Sequence, residues 1–547
     1  MSIPFKPAHI LLPDFTKYSG TPWSCVACDQ YTSQPDYWET ADKIAADHPS
    51  TLRLIIPEVY LAETETRKPS VLLAMEDYLR DVLIEHPDTM ILVERTLGSG
   101  ETRWGIVGAV DLMTYDYRKG ADSLIRATEA TVAERIPART TIRREAPMEL
   151  PHVMMLIDDR AKTVVEPLAA VKDTLPVAYD YDLMQGSGHL KGYFLTPALM
   201  AQVESALAAL ITPEAMAARY GKEGLAPLLF AVGDGNHSLA AAKTCFEEIR
   251  AAIGDEAAMA HPARYALCEV VNLYDESLRF EPIYRVVFGI DPDHILAAFK
   301  AYIADLNGEA SPQTVAWVSG DRSGILEIPA PAVALPVGTV QDFLDEYMKT
   351  APAEAAVDYI HGEDTAKALA DRPDAIAFLF DGMAKEELFS TVIADGALPR
   401  KTFSMGHAED KRFYTEARRI KSIQKGEISM KQEWFAWLTS HLKALPAEAK
   451  ALCLNLYEGE EDGEFDAQLV ACASYDREDP DWACPGNELY TTGEELFGFT
   501  AADWESALDL MLDMMGTAIA EGILPDAIEY AAAGFVDGDL EEVFWRE

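Results

Sequence analysis

Positive charge is scarce in this sequence. Its 547 residues carry 46 lysines and arginines against 91 aspartates and glutamates, a formal net charge of -45. Such a chain repels nucleic-acid phosphates and anionic membrane surfaces, so neither is expected as a partner. Long apolar runs are missing too: no stretch approaches the ~20 residues that a membrane-spanning helix needs. Met1 to Phe15 holds Lys6 but no sustained apolar segment and no small-residue cleavage pattern, so no signal peptide is read there. Cysteine is sparse. Seven thinly spread cysteines suit reduced thiols in the cytoplasm rather than a disulfide framework. Cys25 and Cys28 have redox or metal spacing, but no second pair and no nearby histidine completes a tetrahedral site, so zinc is not expected.

What is present is globular: 49% apolar and 25% charged residues. The length calls for two or three domains. The most informative stretch is Leu229 to Ser238. Pro227 to Val232 reads as one buried strand, Gly233-Asp234-Gly235 as a tight turn, and the run after Ser238 as a helix. An acid, an amide, an imidazole and a hydroxyl (Asp234, Asn236, His237 and Ser238) therefore crowd the start of one helix. Free N–H groups and the helix dipole there attract phosphate or carboxylate. An ordinary strand-turn-helix, capped by Asp234 or Asn236, is the plainer alternative.

Other stretches offer ligand chemistry. Asp29, beside Gln30 and Tyr31, lies in an aromatic and polar loop. Met90 to Glu94 and Arg103 to Leu112 read as a hairpin, with Gly105 and Gly108 marking a bulge or a close backbone approach. Lys119, Arg126, Arg135, Arg139, Arg143 and Arg144 form a basic island, in which a helix from Ala121 would set Arg126 and Glu129 three residues apart on one face. Gly186, Gly188, His189 and Lys191 make a second glycine-rich turn. Leu398 to His407 gathers Arg400 and Lys401 with hydroxyl groups, before a charged helix expected from Ala408 to Ile420.

Five segments in order carry a family resemblance: Ala27 to Pro35, Ile125 to Glu129, Gly186 to Gly192, Gly233 to Ser238 and Leu398 to Phe403. Together they resemble the family called domain of unknown function 1015 (DUF1015), over residues up to about Ile420. The family's central motif, Asp-Gly-His-His-Arg, is similar to that of the ParB/sulfiredoxin-like fold, which includes a free-serine kinase with a nucleotide donor. Asp234, Gly235 and His237 match it; Asn236 replaces the first histidine and Ser238 the arginine. The lost arginine leaves phosphate charge to be met by Lys191, Arg126 or Lys401.

The resemblance implies an α/β core with a mixed sheet, and transfer of a phosphoryl group from ATP or ADP, compatible with Mg2+, to a small hydroxylated metabolite such as a serine-like amino acid. Asp234 and His237 would be the catalytic pair. Gly233, Gly235, Asn236, Ser238, Arg126, Glu129, Gly186, Gly188, His189, Lys191, Arg400, Lys401 and Asp29 would bind the anionic ligand, the two glycine turns facing one pocket. A non-catalytic sensor of an anionic metabolite and a phosphoester hydrolase are the alternatives. The core is expected over 1–420, in one lobe or two. A separate small α/β domain follows from Gly426, where five basic residues meet 28 acidic ones. Its Glu458 to Asp466 turn has calcium-loop spacing, but Leu469 stands where a closing glutamate is needed, so calcium is not expected.

Overall fold

A computed structural model describes residues 3–546, apart from 33, 130–135, 422–426, 460–462, 478–479, 484–486, 494, 502, 521–522, 526, 537 and 539. The chain parts into two compact units, Met1–Ser422 and Ile423–Glu547. Both are α/β. Among the described residues, no helix is long and apolar enough to cross a membrane.

The first unit is built on a ten-stranded mixed sheet: β1 (Phe5–Lys6), β2 (Ile91–Thr96), β3 (Thr102–Asp111), β4 (Tyr115–Asp116), β5 (Ile125–Ala127), β6 (Met154–Ile157), β7 (Val177–Asp182), β8 (His189–Phe194), β9 (Phe230–Asp234) and β10 (Tyr265–Asn272). They run in the order β7-β8-β2-β3-β10-β6-β9-β5-β4, with β1 beside β3. β9 lies parallel to β5 and antiparallel to β6, and is buried on both faces. That is why its sequence is a continuous apolar run and not an alternation. The two glycines of β3 are close approaches. A Cβ on Gly105 would sit 2.2 Å from the Glu269 carboxylate, and one on Gly108 would sit 2.6 Å from the Phe5 ring.

Helix α1 (Asn236–Ile253) follows β9 directly. Leu239, Ala242 and Phe246 recur at i, i+3 and i+7 and pack onto the sheet beside Val232 and Phe230. Burying such a Leu or Phe contributes about 1.5–3 kcal/mol each. The other face of the sheet is covered by Ile10, Leu12, Val26 and Trp38 from the N-terminal segment, and by Phe413 and Tyr414 from residues 400 positions later.

A second, antiparallel sheet runs Arg322–Ile328, Gln313–Ser319, Ala375–Leu379, Phe280–Phe288 and Ala356–His361, with Phe403–Met405 also paired to Phe280–Phe288. Its core joins that of the first sheet. Phe299 and Phe343 stack at 4.2 Å, and Met154, Leu156 and Ala231 from β6 and β9 belong to the same apolar cluster.

The segment after Met405 departs from the expected helix. Only Ala408–Asp410 turns, as a short 3-10 helix. The chain then runs extended, pairing Phe413 with Val26, Ala417 with Leu11 and Arg418 with Glu149. Arg412 and Glu416, four apart, do form an ion pair at 2.6 Å, but inside the core rather than along a helix. Strand partners far away in sequence override a local helical pattern. We call residues 403–420 the strap.

The second unit has a six-stranded sheet in which Ala451–Glu458 is parallel to Tyr530–Phe535 and antiparallel to Glu464–Cys472. Trp434 and Leu438 from helix Glu427–Leu442 and Met511 and Met515 from helix Trp504–Ala520 join its core with Leu454 and Leu469. In the turn with calcium-like spacing, Asp466 is a strand residue opposite Tyr457, while Glu460 and Asp462 lie outside the described residues.

Candidate functional site

The turn between β9 and α1 is held open by its glycines. Gly235 has φ +78°, and a Cβ there would lie 3.0 Å from the Val153 backbone; a Cβ on Gly233 would lie 2.9 Å from Leu156. Among the described residues, no side chain caps α1. Asp234 instead accepts the Gly235 N–H at 2.9 Å through one oxygen, and its other oxygen is 3.4 Å from the Lys411 ammonium on the strap. Asn236 is fixed behind it. The Thr128 hydroxyl donates to the Val232 carbonyl at 2.6 Å, so it can only accept from the Asn236 amide, at 3.3 Å. The amide also donates to Val232 at 3.3 Å. Its Oδ1 is buried and has no partner among the described residues.

Ser238, one step deeper, meets His152 at 3.2 Å from its Nε2. The other ring nitrogen of His152 is 2.8 Å from the Tyr414 hydroxyl, and an Asp29 oxygen lies 3.7 Å from Nε2. Asp29 and Ser238, 209 positions apart in the sequence, are thus brought together around one buried imidazole. His237 stands half-buried in the first turn of α1.

Glu129 approaches the turn from the end of β5. It bridges to Leu398, and its carboxyl is pushed upwards: burial is the main cause, the Asp234 charge adds to it, and Lys401 works against it through its charge and its backbone N–H. Lys401 has φ +54°. The backbone there is held by Arg285, a fully buried guanidinium that donates to the carbonyls of Lys401 at 2.8 Å and Arg400 at 2.7 Å. The Arg400 side chain points to the second sheet, bonding Tyr359 at 2.7 Å and Asp345 at 2.6 Å.

Two expectations are corrected. Arg126 lies in strand β5, not on a helix with Glu129. It is 4% exposed and laces the backbone, donating to Ser123 at 3.0 Å and Ala226 at 3.2 Å. A short run with strand partners on both sides cannot also coil. Arg135 and the side chain of Arg139 lie outside the described residues. Nor do the two glycine turns share a pocket. From Asp234 the register runs through Met154, Glu269, Val107 and Ile91 to Phe194, the last residue of β8. Gly186 and Gly188 instead precede His189, at its other end and five strands away. There His189 sits between Asp182 at 2.7 Å and Asp180 at 2.8 Å, and Lys191 pairs with Asp180 at 2.6 Å.

The residues that the sequence did not single out are His152, Lys411 and Tyr414. His152 is a lone histidine before an apolar strand, and the other two were placed on a helix that does not form. Cys25 is buried and bonded by the Thr51 hydroxyl, and burial pushes its thiol up to about 12. Two clefts, of about 260 and 700 Å3, lie away from the turn; the larger is lined by Tyr115, Arg118, Lys243 and Glu247.

Several solved structures are similar to this chain. They include a conserved hypothetical protein from Pyrococcus furiosus, 12% identical with a TM-score of 0.28, covering 57% of this chain and 94% of that one. A free serine kinase in complex with AMP is 12% identical with a TM-score of 0.29, covering 57% and 90%. SbnI with C-terminal truncation from Staphylococcus aureus is 9% identical with a TM-score of 0.27, covering 61% and 96%. No curated protein matches the sequence. The family model for proteins of unknown function called DUF1015 matches residues 8–396, which take in the β9–α1 turn, Asp29, Glu129 and His152, and on that match the chain belongs to the DUF1015 family.

Proposed function

We propose that the β9–α1 turn carries phosphoryl transfer from an adenine nucleotide, ATP or ADP, to the hydroxyl of a small metabolite, for which a serine-like amino acid is the first candidate. The observation that carries this reading is the set of charges around the turn. Asp234 and Glu129 lie beside Lys411 and Lys401, at the start of an 18-residue helix that no described side chain caps.

Phosphoryl transfer asks a protein mainly for positioning and charge compensation. Helix N–H groups and the dipole favour phosphate oxygens. Lys411 supplies the positive charge that Ser238 cannot, and His237 donates to a phosphate oxygen from the first turn. Mg2+ brought with the nucleotide fits Asp234, since that ion is commonly held by one or two carboxylates together with phosphates. Asp234 already contacts an ammonium and an N–H group. Glu129, whose carboxyl is raised, is therefore the better base for the acceptor hydroxyl. Asp29, His152 and Ser238, gathered beside the turn, would hold the acceptor.

The test is nucleotide consumption by the full chain with and without L-serine and related hydroxy acids. Turnover only with the acceptor supports a kinase. Turnover without one means a hydrolase, and binding without turnover means a sensor. In a turning-over enzyme, His237→Ala and Glu129→Gln should each lower kcat about a hundredfold, roughly 3 kcal/mol, with little change in Tm. A fall in Tm with unchanged turnover per folded molecule would reduce these residues to a structural role.

A further inference from the structure

Arg95 on β2 and Arg103 on β3 are direct cross-strand partners. They are 2% and 4% exposed. Like charges facing each other across a sheet repel, and burial removes the water that would screen them. The hydrogen bonds they make among the described residues go to carbonyls. Arg95 donates to Thr96 at 2.6 Å and Glu409 at 2.9 Å, and Arg103 donates to Asp410 at 2.8 Å. Both Nε atoms are buried without a partner among the described residues.

No hydrogen bond among the described residues joins either arginine to a neighbouring carboxylate. Glu269 and Glu416 accept from Arg412 at 3.3 and 2.6 Å, Asp410 accepts the His407 N–H at 3.1 Å, and the other Glu269 oxygen is buried without a partner among the described residues. Burial, with Arg103 as the next cause, pulls Arg95 down to about 9. Buried polar groups are nearly always satisfied, and the guanidinium edge carrying Nε is one that grips carboxylates and phosphates in a fork.

We propose that Arg95 and Arg103 form a buried site for an oxyanion, the carboxylate or phosphate group of a small ligand, roofed by Glu409 and Asp410 of the strap. The loop carrying Gly188 closes one side: a Cβ there would fall 3.0 Å from the Arg95 guanidinium and 2.2 Å from the Thr96 carbonyl. Tyr31 reaches Glu409 at 3.5 Å on another. This gives the second glycine turn a role of its own, closing over an arginine pair instead of facing the β9–α1 turn. The site does not depend on phosphoryl transfer.

The experiment is thermal unfolding of the full chain against inorganic phosphate and, separately, malonate, at fixed ionic strength. Every protein carries Lys411→Ala so that the β9–α1 turn contributes little. The Arg95/Arg103 pair should give a saturable rise in Tm. Adding Arg103→Gln keeps a donor for the Asp410 carbonyl but removes the repulsion. Its Tm should exceed the parent's without oxyanion, and its response should shift to at least about tenfold higher concentration. The two Tm curves should therefore cross. A constant offset at every concentration would mean arginines that only brace the strap, and would overturn the proposal. A parent that ignores both anions would overturn it too. Should Arg103→Gln not fold, calorimetric titration of the parent decides: one saturable site supports the proposal and none ends it. Response to phosphate alone assigns a phosphate group, and response to malonate alone a carboxylate.

Discussion

Two glycine-rich turns of the first sheet look alike in sequence and differ in every physical respect that matters for binding. The turn at Gly233–Gly235 ends β9, which has strands on both sides, and opens a long helix, and a cation beside it, Lys411, comes from the strap. The turn at Gly186–Gly188 enters β8, next to the edge strand β7, and its histidine and lysine are held by aspartates of β7. A cation beside its own carboxylate offers little to a ligand. What separates the two is the origin of the countercharge, next door on the neighbouring strand in one and far along the chain in the other.

The largest effects that would sharpen this contrast are steric. Gly188 has φ +98° and its Cβ would fall 2.2 Å from a backbone oxygen, so Gly188→Ala should cost about 3–4 kcal/mol. Gly235→Ala, at 3.0 Å from Val153, should cost about 2 kcal/mol. Gly186→Ala has open space and only a left-handed φ of +68°, worth about 1 kcal/mol. Denaturant unfolding of the three variants gives the order; a Gly235→Ala loss larger than that of Gly188→Ala would reverse the comparison.

Next in size is the lysine pair. Lys411→Ala should lower kcat/KM, or ligand affinity if there is no turnover, by about a hundredfold, roughly 2.7 kcal/mol. Lys191→Ala should change it less than about twofold, because Asp180 already holds that ammonium. Equal losses would show that the two turns do serve one ligand.

The smallest effect is a pH dependence. Burial opposes the charged form of His189, but its bonds to Asp182 and Asp180 prevail and its pKa is raised. A raised folded-state pKa means stabilisation that is fully present below the unfolded value near 6.5. It fades as pH climbs through the folded value. The ring is 36% exposed, so the contribution is well under about 1 kcal/mol. Wild type should lose that increment above neutrality relative to His189→Gln, and a flat difference between the two from pH 5 to 9 would remove the charge from the account.

Much of the first sheet was legible. β9, the β2–β3 hairpin and β10 each announce themselves as apolar runs between turn residues, and the glycine turn names the start of α1. The family was legible from five short segments. The strap was not, because Arg412 and Glu416 have helix spacing while the residues that hold this segment extended, Val26 and Leu11, lie about 400 residues away. Arg126 misled for the same reason: a three-residue strand carries too little period to be told from a helix. His152, Lys411 and Tyr414 were hidden because nothing local distinguishes a histidine, a lysine or a tyrosine that meets its partners only through tertiary pairing. The Arg95/Arg103 pair was half legible: Arg103 opens the second strand of the expected hairpin, but the first strand was expected to stop at Glu94, one residue short of Arg95.

The strap also has a history during synthesis. Leu11 must wait for Ala417 and Val26 for Phe413, and Lys411 is made about 170 residues after Ser238. At the usual elongation speeds of about 5–20 residues per second, the β9–α1 turn spends roughly 10 to 35 s without its lysine. Once made, Glu269 and Glu149 await Arg412 and Arg418, arginines they later bury against. A nascent chain stopped before residue 403 therefore exposes an unfinished sheet face to chaperones and proteases. Ligand binding should begin only once the last residues of the strap have left the ribosome.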